Sequence, residues 1–87
     1  MVIWKKKLDE KLIFQTIDVP SGSKFLTAAM QGENLCLWIL CDKNAPTTRR
    51  EIAIYATGEL LDNDPGEYIS TFQLEGGDFI YHVFDVK

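Results

Sequence analysis

Scarcity narrows the chemistry of this chain before any pattern is sought. It holds one histidine, two cysteines and, at Arg49 and Arg50, only two arginines among 87 residues. His82 has no serine or reactive cysteine partnered to it, so no nucleophile–base set can be assembled and a non-enzymatic protein is expected. No glycine-rich phosphate loop is present, and no two acids are singled out for glycoside chemistry. The longest apolar run, seven residues from Leu35 to Cys41, falls far short of the ~18 needed for a membrane-spanning helix. Apolar residues precede the lysines in Met1-Val2-Ile3-Trp4-Lys5, the reverse of signal-peptide order, and a cytoplasmic location is expected.

The cysteines reinforce that expectation. Cys36 and Cys41 are five positions apart, about 16 Å along an extended chain, with side chains on opposite faces, so they cannot pair within one molecule. Without CxxC spacing or a second ligand pair, no metal and no cofactor is expected. Two free thiols suit a reducing compartment.

Charge is unevenly spread along the chain, whose net charge is −4. Residues 59–87 hold seven acids (Glu59, Asp62, Asp64, Glu67, Glu75, Asp78 and Asp85) against Lys87 alone, while residues 1–58 carry eight bases against six acids. Duplex nucleic acid is therefore not an expected partner. A local basic patch remains open, with Lys5 and Lys7 on one face of the first strand and Lys6 on the other.

What is present reads as one all-β domain over 1–87, a small sandwich or partly open barrel of about seven short antiparallel strands. Residues 34–42, apolar throughout between Asn34 and Asp42, match a central strand hidden on both faces and are too short for a helix. Strands are also expected at 2–8, where lysines mark a sheet edge, and at 12–19, where β-branched residues alternate with polar ones. Residues 24–31 are read as a strand leading through a Gly32-Glu33 hairpin into the central one, although Ala28, Ala29 and Met30 favour helix. Residues 49–57 form the next strand. The segments 68–74 and 79–86 form a hairpin expected to close on a two-residue Gly76-Gly77 turn. Residues 58–67 are the longest irregular stretch, and such loops carry function disproportionately often.

Three constellations stand out. Asp62-Asn63-Asp64 begins like a calcium loop, but glycine comes one position early and the twelfth residue is Gln73, so a solvated turn is the better reading. Arg49 and Arg50 suit an anion, with Tyr55 offering a stacking face and Thr57-Gly58 a corner of backbone amides. Adjacent arginines on a strand point to opposite faces, so at most one serves a given pocket. His82 is a further ligand-contact candidate, while Asp62, Asp64 and Glu67 could meet a basic protein surface.

Ile3-Trp4-Lys5, Leu35-Cys36-Leu37-Trp38, Ile54-Tyr55-Ala56-Thr57-Gly58, Tyr68-Ile69-Ser70-Thr71-Phe72 and His82-Val83-Phe84 together resemble a family of small phage and prophage proteins without an assigned activity. Members carry a histidine after the Thr-Gly pair, where this chain has Glu59. The resemblance implies a bacterial host cytoplasm and an accessory, counter-defence role. On that basis the expected function is sequestration of an anionic ligand such as a nucleotide signal. Binding a host protein through the acidic C-terminal third is the alternative, and a structural accessory phage protein the second. So small a chain, rich in aromatics, is also expected to self-associate.

Overall fold

Alternation and turn chemistry set seven strands in the computed structural model, which describes residues 1–86. They are β1 (Val2–Leu8), β2 (Phe14–Pro20), β3 (Lys24–Gln31), β4 (Asn34–Cys41), β5 (Thr47–Ala56), β6 (Glu67–Leu74) and β7 (Phe79–Val86). Two antiparallel sheets result, one ordered β1-β4-β3 and the other β2-β5-β7-β6. The fold is all-β and the sheets do not close into a barrel. Among the described residues the only helical element is a 3-10 turn at Glu75–Gly77.

The core lies between the sheets. On β4 the odd-numbered Leu35, Leu37, Ile39 and Cys41 face it, meeting Leu8, Val19, Ala28, Ile52, Ile54, Phe72 and Val83. Full burial of each large aliphatic side chain is worth about 1.5–3 kcal/mol relative to exposure. The even-numbered Cys36, Trp38 and Leu40 face outward, which corrects the expectation of a strand covered by a layer on each side. Trp38 and Leu40 are only half-buried. Cys36 is buried because neighbouring side chains roof it: Lys5 Nζ donates to Gln31 Oε1 at 2.7 Å, and Cys36 Sγ lies 4.0 Å from that oxygen. Both cysteines are free and sit on opposite faces of β4.

The sheets are tied at one corner. β3 is irregular between Phe25 and Thr27, and β6 between Tyr68 and Ser70, so both edges bend where they approach each other. There Ser70 Oγ accepts the Ala28 N–H at 2.7 Å and pairs with Thr27 Oγ1 at 2.9 Å.

Boundaries depart from the sequence reading at several strands, β5 beginning at Thr47 and ending at Ala56 where 49–57 is expected. Phe14 opens β2, leaving Leu12 and Ile13 in the connection from β1. The β6–β7 hairpin closes on the Leu74–Phe79 pair, so its loop is residues 75–78 instead of two glycines. A two-residue turn would set Glu75 directly opposite Asp78, and like charges there are unfavourable. The four-residue loop instead turns through positive φ at Glu75 (51°), Gly76 (68°) and Gly77 (98°), with the Asp78 N–H donating to the Glu75 carbonyl.

The β5–β6 connection places the main surface feature. Both strands run antiparallel to β7 between them, so residues 57–66 must return along the sheet. They do so over its outer face, where Leu61 to Pro65 share a cleft with Phe14, Tyr55 and Val86.

Candidate functional site

Register separates the residues proposed as one anion site. Arg49 and Arg50 lie near the start of β5, six and five residues before Tyr55, about 20 and 17 Å away along the strand. Arg50 points between the sheets. Its Nη2 bonds Asp85 Oδ2 at 2.5 Å, its Nη1 donates to the Ser23 carbonyl at 3.0 Å, and its guanidinium stacks 4.3 Å from the Phe25 ring centroid. That is a structural clamp holding β5 to β7 and to the turn after β2. Arg49 faces outward and pairs with Asp18 at 3.6 Å, both side chains more than half exposed. Such a pair contributes little to stability.

Tyr55, Thr57, Gly58 and His82 do come together. Tyr55 and His82 are register partners, and a chain of hydrogen bonds crosses the outer face at their level. Thr57 Oγ1 donates to the Ile80 carbonyl at 3.2 Å and meets His82 Nε2 at 2.7 Å, while His82 Nδ1 meets Thr71 Oγ1 at 2.9 Å and Thr71 meets the Tyr68 hydroxyl at 2.8 Å. Both ring nitrogens are therefore occupied by threonine hydroxyls.

Backbone hydrogen bonds also shape the Thr57-Gly58 corner. The Thr57 N–H donates to Ile80, the Glu59 N–H to Ala56, and the Ala56 N–H to Glu59 Oε1 at 3.0 Å. Gly58, at φ +86°, makes the left-handed turn. The Glu59 carboxylate thus sits beside the corner, on the Ala56 N–H.

The acids divide between two places. Asp62 and Asp64 line the cleft under the crossing loop, and Asp64 Oδ1 accepts the Gly66 N–H at 2.9 Å, which shapes the loop's end. Glu67 lies instead beside a separate cleft shared with Arg50, Asp85 and Lys24.

The structure also assembles a surface that the sequence reading did not collect. Leu12, Ile13 and Phe14 are about half exposed, Leu61 is 39% exposed and Leu60 is 94% exposed. Ile13 and Phe14 line one cleft with Leu60 and Leu61. Phe14 also begins an aromatic row across the sheet, with centroid distances of 6.0 Å to Tyr55, 6.1 Å from Tyr55 to Phe84 and 5.9 Å from Phe84 to Tyr68. Glu59, Asp62 and Asp64 border this strip. Its one local signal was the Leu60-Leu61 pair inside an otherwise polar loop. The meeting of that pair with Ile13 and Phe14 spans more than forty residues and depends on the loop's return path.

Among the described residues no group of three or more histidine, cysteine, aspartate or glutamate side chains is placed to hold a metal ion. No helix is long and apolar enough to cross a membrane. Residues 1–87 match the family described as Domain of unknown function (DUF7352), and the chain belongs to that family. No curated protein and no solved structure matches it.

Proposed function

We propose that this chain is a non-enzymatic binding protein that docks a partner protein on the apolar strip formed by Ile13 and Phe14 with Leu60 and Leu61. Its acidic border selects a segment with basic residues around an apolar centre. One observation carries the reading: two apolar stretches distant in sequence meet in the open, with Leu60 almost wholly exposed and carboxylates beside them. Contiguous apolar surface rimmed by charge is what docking surfaces show. The anionic-ligand alternative loses support at the arginines, one clamped to Asp85 and the other paired with Asp18. The resemblance to small phage and prophage proteins makes a bacterial host protein the partner class, in a counter-defence setting.

A synthetic lysine-rich amphipathic peptide, titrated by fluorescence anisotropy, tests this. Binding should be saturable, lost in Leu60→Asp and weakened at least tenfold in Asp62→Lys/Asp64→Lys. Affinity unchanged in both variants removes the reading. Light scattering on the free protein supplies a second arm, since a dimer split by Leu60→Asp would put another copy of the chain on the strip in place of a foreign partner.

A further inference from the structure

The opposite face of the molecule has a different chemistry. The strands of the β1-β4-β3 sheet contain Lys5, Lys6, Lys7 and Lys24 and no acidic residue. Register and alternation lay out its outer surface as three cross-strand rows: Ile3–Leu40–Lys24, Lys5–Trp38–Thr27 and Lys7–Cys36–Ala29. Trp38 thus sits at the centre of a lysine-bordered grid. The small Thr27 and Ala29 on its β3 side leave the indole partly open to solvent. Among the described residues Lys5 and Lys7 form no ion pair, and Lys24 stands at the mouth of the cleft it shares with Glu67.

We infer that this face binds single-stranded nucleic acid, with Trp38 stacking on a base and Lys5, Lys7 and Lys24 contacting phosphates. Lysines around a partly exposed aromatic suit such ligands, because every base has a stacking face and the backbone supplies the charge. Size favours this occupant over a protein. Three strands by seven residues span roughly 15 by 23 Å, well below the ~800 Å² per partner of a stable protein interface but enough for a few nucleotides. A duplex cannot present unstacked bases to Trp38. Carboxylates do stand at the margins of the grid, Asp9, Glu10 and Glu33 in a cleft with Lys7 and Glu67 in one with Lys24, while the acids of the far sheet beyond a Debye length of about 10 Å are screened at ordinary salt.

Trp4→Phe leaves Trp38 as the sole tryptophan and so the reporter. Adding a thymidine oligomer of about twelve nucleotides should quench its emission saturably. Three phosphate contacts predict a slope of log affinity against log salt of about −2, falling to about −0.7 in Lys7→Gln/Lys24→Gln with at least tenfold weaker binding. That double variant changes only exposed side chains, and an unchanged melting temperature verifies its fold. Absence of quenching at low salt overturns the inference. So does a slope unaffected by the lysines, equal binding of a duplex of the same length, or quenching by anionic phospholipid vesicles but not by the oligomer.

Discussion

At Gly66 the backbone adopts φ +110° against β7, and a Cβ there would overlap the carbonyl oxygen of Asp85. Gly66→Ala should therefore cost about 2–4 kcal/mol, from left-handed strain together with steric overlap. Gly58, at φ +86° with nothing within 4 Å of its would-be Cβ, carries only the backbone penalty, and Gly58→Ala should cost about 1–2 kcal/mol. Urea unfolding of the two variants measures the difference. Arg50 poses a related test. Removing it leaves the buried Asp85 carboxylate without its partner, so Arg50→Met should destabilise by roughly 2–4 kcal/mol and Arg50→Met/Asp85→Leu should recover most of the loss. Full additivity of the two single changes would show that the clamp is not coupled. At this scale the sequence disclosed that the two arginines diverge, since alternation requires it. It could not disclose which one turns inward, because Asp85 and Phe25 come from distant strands.

Elements divide along the same line. The β3–β4 and β6–β7 hairpins were legible because apolar alternation acts within a few residues, although the second closes on residues 75–78 and not on Gly76-Gly77 alone. Residues 24–31 form a strand despite their alanines because Phe25, Ala28 and Met30 pack on the core, and tertiary burial overrides a weak propensity. The join between β3 and β6 was not legible. It rests on Ser70, whose hydroxyl reads as an ordinary polar residue until two irregular edges bring Thr27 and Ala28 to it. Ser70→Ala strands the buried Ala28 N–H and should cost about 1–3 kcal/mol, with faster hydrogen exchange at that amide than elsewhere in β3. Uniform exchange across β3 would mean that the corner does not hold the sheets together.

For the molecule as a whole, charge follows the sheets more closely than the order of the chain. The first sheet carries four lysines and no acid on its strands, while Glu59, Asp62 and Asp64 lie in the loop across the second. In sequence this was visible only as an acidic C-terminal third. The basic face was obscured because Lys24 is far from Lys5 and Lys7, and because Trp38 and Leu40 read as core until β4 proved to lack a covering layer. On the two proposals together, two unlike outer faces take two unlike partners. Backbone amide chemical-shift mapping tests it most directly, with the lysine-rich amphipathic peptide and the thymidine oligomer titrated separately into the same labelled protein. The peptide should shift residues 12–14 and 59–64 and leave β3 and β4 unmoved, and the oligomer should shift Lys5, Lys7, Ala29 and Trp38 while leaving the loop unmoved. Convergence of both ligands on one face, or no localised shifts with either, would contradict it.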